Sequence, residues 1–243
     1  MSHHSTPELP ALGFKETAFN LHNLWLFCTF VSMLIFTSLS TVDVSFSHIF
    51  FDGSKFPAAD VQIFHGIRHF TWNMAILVTL LCVIGSILGL FRRQFLWVEP
   101  RKWYYSVLLM VTGPGLVVNE GLKKLWGRAR PAEILEFGGT QFFSPALVPS
   151  DQCARNCSFV SGEASGAVAI AVIVWVLTDQ SKSDLLRHLL RIATIILAVT
   201  ASFLRISTGR HFLSDVIFAA LVVTGLALLL RPILPTSFTK EKK

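Results

Sequence analysis

Residues 160–177 read VSGEASGAVAIAVIVWVL, a serine, glycine and glutamate start followed by an uncharged apolar run. The stretch approaches the roughly 20 residues that carry a helix across about 30 Å of hydrocarbon. Five more apolar runs occupy 24–42, 70–91, 103–122, 189–204 and 212–230. Arg187 and Arg191, beside the start of the 189–204 run, can snorkel to the interface and extend its usable length. Composition agrees: 52% of the 243 residues are hydrophobic and 15% are charged, against about 25% charged in an average soluble domain. The expected fold class is all-α, a polytopic membrane protein of six transmembrane helices, with 1–243 forming one domain.

The first run starts late and lacks a small-residue cleavage site, so it is expected to act as a signal anchor. With both termini inside, Lys15, Arg92, Arg93, Arg101, Lys102, Lys182, Arg187, Arg191, Arg231, Lys240, Lys242 and Lys243 lie on cytoplasmic segments and helix ends. These are twelve of the 21 basic residues. The positive-inside bias then turns the surface bearing Lys123, Arg130 and Arg205 outward. A compact six-helix plan points to a bacterial inner membrane, with the site facing the periplasm.

The net charge of +6 does not indicate nucleic acid, because the basic residues are spread over helix ends and form no soluble basic face. Residues 1–23 form a short polar tail containing His3 and His4, and 43–69 form a first outward loop. The second outward segment, 123–159, mixes Gly138, Gly139, Pro145 and Pro149 with Phe137, Phe142 and Phe143. That composition suits a loop on the lipid interface that helps admit a substrate, although aromatic residues there also serve as ordinary interfacial anchors. Cys153 and Cys157 share this loop, where an oxidising compartment permits a disulfide; two free thiols are the alternative. Cys28 and Cys82 fall in apolar runs as packing residues. Gly113 and Pro114 interrupt the third run and predict a kink, since proline removes a backbone donor.

Three clusters at helix ends carry chemistry. Lys123, Arg130 and Arg205 at one membrane face imply an anionic ligand with several oxygens. Arginine offers a planar fork to phosphate and lysine a mobile point charge; singly, each is also an interfacial cation for lipid head groups. Ser161 and Gly162 open a helix whose first N–H groups are unpaired, and glycine lets an anion approach them. A plain serine N-cap accounts for the same two residues. His211 and Asp215 are four apart, so on a helix they share one face. The carboxylate can orient the ring, leaving the other nitrogen free to attack phosphorus and form a phosphohistidine. A helix-start ion pair is the bland reading of this pair.

The motifs are KKLWGRARP around Lys123, Arg130 and Pro131; FVSGEAS around Ser161 and Gly162; and LRISTGRHFLSD around Arg205, His211 and Asp215. In order and setting they resemble the type 2 phosphatidic acid phosphatase superfamily, whose pattern is K-x6-R-P, then P-S-G-H, then S-R-x5-H-x3-D. The resemblance spans Lys123 to Asp215. It implies phosphate binding by Lys123, Arg130, Ser161, Gly162 and Arg205, with His211 as nucleophile and Asp215 as its orienting partner. Val160 replaces the proline, Glu163 the first histidine and Leu204 the serine. That histidine is implied to protonate the leaving oxygen. A carboxylic acid at Glu163 can take the same role and then activate water, and a structural role or an impaired site is the alternative.

The expected function is a metal-independent membrane lipid phosphatase, a phosphoric monoester hydrolase needing no cofactor, whose partners are the bilayer and a lipid phosphate. The Glu163 variant is similar to that of the lipid A phosphatases of this superfamily, which favours the phosphate of lipid A as substrate. Polyprenyl diphosphate and phosphatidylglycerol phosphate are alternatives. So are transfer of the phosphoryl group to a second lipid and non-catalytic binding of phospholipid. Glu120 and Lys124 have the spacing of a helix ion pair. His65 and His69 share a helical spacing that metal sites use, but no third ligand accompanies them.

Overall fold

The computed structural model describes residues 14–91, 93 and 95–234, with side chains from Asn20 onward. The tail with His3 and His4 lies outside the described residues, as do Arg92, Lys240, Lys242 and Lys243 and the side chain of Lys15. Eight α-helices order the described chain: α1 Phe14–Ser38, α2 Thr41–His48, α3 Gln62–Leu90, α4 Pro100–Met110, α5 Lys123–Leu125, α6 Gly162–Leu177, α7 Asp184–Ser207 and α8 Leu213–Leu229. No strand occurs among the described residues, so the architecture is all-α. The protein is a membrane protein. Among the described residues, four stretches are long and apolar enough to cross a bilayer: Asn20–Ser38, Gln62–Leu90, Asp184–Ser207 and Leu213–Ile233.

The two other expected spans take different forms. The 103–122 run lies on a continuous helical rod, but the rod changes hydrogen-bond pattern at Val111 and is π-helical through Leu122 (π1) before closing in α5. Pro114 lies inside π1. A proline has no N–H to give the ladder and crowds the preceding turn, and the wider π turn accommodates both. The kink expected at Gly113 and Pro114 therefore takes the form of an extended π segment. The 160–177 run yields α6, a shorter apolar helix.

The expected first outward loop is largely helical. Residues Thr41–His48 form α2, and α3 begins at Gln62, eight residues ahead of the apolar run at 70. Asp43, read from sequence as a loop residue, is buried on α2. Local polarity suggested a loop; packing of α2 against α8 buries it instead.

Two apolar clusters make up most of the buried core among the described residues. One, near the N-terminal half of α4, joins Trp103, Leu109, Ile170, Ile173 and Val223. The other lies beside the motif-bearing end and joins Val118, Phe159, Ala164, Val216 and Phe218. Lipid tails are as apolar as these side chains, so between membrane helices close packing rather than removal from water holds them together. α6 touches α3, α4, α7, α8 and π1. It is the central helix, and this position explains its uniformly apolar and small-residue composition.

The 123–159 segment folds back over one end of the bundle. Ala129, Ile134 and Phe137 are buried there with Phe56 and Phe212, whereas Phe142 is 66% exposed. Cys153 and Cys157 form a disulfide.

Candidate active site

The candidate residues all come from one end of the bundle. Lys123 begins α5, Arg130 follows in the connecting segment, Ser161 caps α6, Arg205 lies in the last turn of α7, and His211 and Asp215 flank the start of α8. Their sequence positions place them there because each motif sits where an apolar run begins or ends. Ser161 Oγ accepts a hydrogen bond from Ala164 N at 3.3 Å, satisfying one of the unpaired donors of a helix start. A side-chain carbon on Gly162 would meet Asn119 Oδ1 at 2.7 Å, so glycine here admits Asn119 of π1 close to the start of α6.

His211 is 2% exposed. Its Nδ1 lies 2.8 Å from the Ser158 carbonyl oxygen and 3.6 Å from Asp215 Oδ2. A carbonyl oxygen only accepts, so Nδ1 carries the proton, and in the neutral ring Nε2 keeps its lone pair. Burial lowers the imidazole to about 4, against the opposing pull of Asp215. The neutral form thus prevails at physiological pH.

The sequence pairing of His211 with Asp215 takes a less direct form. Asp215 Oδ2 accepts from Ser158 Oγ at 2.5 Å and from Phe212 N at 2.8 Å, the latter closing the first turn of α8. Asp215 Oδ1 accepts from Arg128 Nη1 at 2.6 Å. Ser158 therefore bridges the two, its hydroxyl on the carboxylate and its carbonyl on the ring.

Arg128 was not singled out from the sequence, although it stands between Lys123 and Arg130 in KKLWGRARP. It is fully buried. Its Nη2 donates to Asp43 Oδ2 at 2.8 Å, its Nη1 also to Ser214 Oγ at 2.9 Å, and its Nε to the Ser144 carbonyl at 2.8 Å. The guanidinium also lies 4.2 Å from the Phe212 ring centroid, a cation–π distance. Ser214 N and Oγ complete the shell of Asp43 at 2.9 and 2.5 Å. One buried cation so answers two buried carboxylates.

Glu163 lies between two arginines. Oε1 accepts from Arg68 Nε at 3.0 Å, and Oε2 is 3.5 Å from Arg205 Nε. Arg68 is the second residue that sequence reasoning missed; its signal was a lone arginine near the start of a long apolar helix. His65, Arg68, Glu163, Arg205, Thr208 and Arg210 line a cleft of about 310 Å³. Arg68 and Glu163 also head a largely apolar groove of about 330 Å³ between α3, π1 and α6, lined by Trp72, Ile76, Leu80 and Met110.

Lys123 Nζ donates to Asn156 Oδ1 at 2.8 Å, and Arg130 Nη2 donates to the Asn156 carbonyl at 2.6 Å. Burial, together with the charges of Arg130 and Arg205, lowers the Lys123 ammonium to about 8. Burial, with Arg210 next, also lowers Arg130, which nevertheless stays charged. Among the other candidates, Lys124 pairs with Glu120, and His65 Nε2 faces the Ala59 carbonyl at 3.0 Å.

The fold and the motif set define a PAP2 protein: the PAP2 superfamily model matches residues 102–238, more than half of the chain, and the chain belongs to that superfamily. It is 29% identical over 202 residues to the Lipid A 4'-phosphatase of Francisella tularensis subsp. novicida (strain U112), covering 82% of this chain and 89% of the relative. It is 28% identical over 201 residues to the Lipid A 4'-phosphatase of Rhizobium leguminosarum, covering 76% and 84%. Among solved structures, the transmembrane PAP2 type phosphatidylglycerolphosphate phosphatase from Bacillus subtilis shares the fold, with a TM-score of 0.54 and 20% identity over 88% of this chain and 94% of that one.

Proposed function

We propose that this protein is a membrane lipid phosphatase in which His211 Nε2 attacks the phosphorus of a lipid phosphate. The observation that carries the reading is the buried imidazole itself. Its Nδ1 proton is committed to the Ser158 carbonyl, which leaves Nε2 nucleophilic, and the charges of Arg205 and Lys123 reach it. Lys123, Arg130 and Arg205 hold the phosphoryl oxygens, aided by the N–H groups at the start of α6 behind Ser161 and Gly162. As the bond from Nε2 to phosphorus forms, the bond from phosphorus to the lipid oxygen breaks, and Glu163 gives that oxygen a proton. Water then attacks the phosphohistidine, Glu163 takes back a proton, and phosphate leaves. Asp215 steadies the ring through Ser158 and offsets the positive charge formed on it.

Lipid A is the favoured substrate, supported by relatives of that activity matched over most of the chain. The apolar groove below Arg68 and Glu163 suits the tail of a substrate whose phosphate enters at the polar end. We read the 103–122 stretch of the α4–π1 rod and α6 as two further spans, six in all, within one domain of a bacterial inner membrane. The site then faces the periplasm, opposite the basic residues Arg187 and Arg191 at the other end of α7. Release of inorganic phosphate from lipid A, by purified protein without added metal, tests this reading beside His211→Ala. Loss of release in the variant, with unchanged thermal unfolding, is expected; equal release by both would remove His211 from the reaction.

A further inference from the structure

Residues 153–158 bind both halves of the site. Asn156 lies inside the loop closed by the Cys153–Cys157 disulfide. It presents its side-chain oxygen to Lys123 and its backbone oxygen to Arg130. Its own φ is +53°, a left-handed conformation that asparagine tolerates better than most residues. Two residues on, buried Ser158 gives its carbonyl to His211 Nδ1 and its hydroxyl to Asp215, and its N–H donates to the Arg128 carbonyl at 2.8 Å. Cys157, between them, is fully buried. The cations and the nucleophile come from different motifs and helices, yet they share this one short piece of backbone.

We propose that Asn156 and Ser158 are positioning residues on a disulfide-closed strap that holds the phosphate-binding cations in register with the nucleophile. Lysine and arginine each carry several N–H donors. A bond to Asn156 therefore fixes the direction of each side chain and leaves donors for a phosphate. The disulfide limits the conformations open to the short loop, so Asn156 keeps its left-handed backbone without help from a ligand. Opening it frees Asn156 first, because Ser158 is separately tied to Arg128, Asp215 and His211. The strap thereby couples the grip on phosphate to the redox state of the compartment that the loop faces.

The inference rests on the phosphatase reading, and its test separates the two. Asn156→Gly keeps the backbone conformation and the carbonyl to Arg130, since glycine adopts positive φ without strain, and removes only the amide held by Lys123. Affinity for inorganic phosphate, by calorimetry on detergent-solubilised protein, and KM and kcat for lipid A are measured for this variant. The same is done for Ser158→Ala, Ser158→Thr and the Cys153→Ser/Cys157→Ser pair. Asn156→Gly is expected to raise the phosphate Kd and the KM by roughly five- to tenfold, the order for one ordinary hydrogen bond, with kcat nearly unchanged. Ser158→Ala is expected to lower kcat at constant KM, and Ser158→Thr, which keeps the hydroxyl, to restore it. Dithiothreitol is expected to raise the KM of the wild-type protein and to leave the cysteine pair variant, whose KM is already raised, unaffected.

Unchanged Kd and KM in Asn156→Gly, or kcat and KM falling together in every variant with a lowered unfolding temperature, would overturn the strap. Phosphate binding that weakens in Asn156→Gly while the wild type releases no phosphate would keep the strap and reject the enzyme. A wild type that neither binds nor releases phosphate would reject both.

Discussion

Replacing Asp43 by asparagine would leave Arg128 with one buried carboxylate where it now has two. Asp43 is 1% exposed and Arg128 fully buried, and their oxygen and nitrogen are 2.8 Å apart. Removing one partner of such a pair costs about 3–5 kcal/mol, because the remaining charge stays buried with less to offset it. Asparagine keeps an oxygen for Ser214 N, now bonded at 2.9 Å, so Asp43→Asn belongs near the lower figure, about 3 kcal/mol. Asp43→Ala also leaves the two Ser214 donors without their acceptor, each worth about 1 kcal/mol, and belongs near 5 kcal/mol. Denaturant unfolding in mixed micelles, followed by tryptophan fluorescence, measures both. The companion Arg128→Met removes the cation, and in the double variant Asp43→Asn/Arg128→Met the losses are expected to fall short of additive by at least about 1 kcal/mol. A loss under about 0.5 kcal/mol in Asp43→Asn, the range of ordinary surface changes, or strict additivity in the double variant, would refute the reasoning.

Glu163→Gln is expected to slow phosphate release from lipid A by about a hundredfold or more, the usual worth of a general acid and base, without lowering the unfolding temperature; normal turnover would take Glu163 out of the mechanism. Arg68→Gln frees one side of that carboxylate, and because Arg68 is half exposed the expected fall in kcat is smaller, about three- to tenfold in line with one partly screened charged hydrogen bond. No change in kcat would leave the pair a surface contact. The pH dependence has a definite sign. Lys123, lowered to about 8, loses its charge as pH rises through that value, so kcat/KM should fall on the alkaline side, and Lys123→Arg should move this limb upward because guanidinium stays charged. His211, lowered to about 4, is already neutral above pH 5 and should contribute no acid limb near neutrality. An alkaline limb unmoved by Lys123→Arg would assign it to another group.

Much of the molecule was legible along the chain because hydrophobic runs and helix-end motifs are local signals. The apolar stretch from Phe212 onward predicts its helix to within a residue of the observed start at Leu213, since membrane helices satisfy their backbone internally and need no partner to be recognised. The third run was harder to read. Its apolar length and Pro114 are plain, but spacing alone does not distinguish a simple kink from the π pattern of Val111–Leu122. Polarity alone misread residues 43–48 as loop, because the burial of Asp43 requires an arginine that lies 85 residues away.

The sequence by itself determined an all-helical membrane chain and the charged and polar side chains that stand at its helix ends, because both follow from the composition and spacing of near neighbours. Tertiary structure decided which groups share a proton or a charge. Arg128 serves Asp43 and Asp215, Arg68 reaches Glu163 across 95 positions, and Asn156 and Ser158 tie Lys123 and Arg130 to His211 and Asp215. Such pairings leave no periodic trace in a sequence: each arises only where folding removes water from two polar groups and obliges them to find one another.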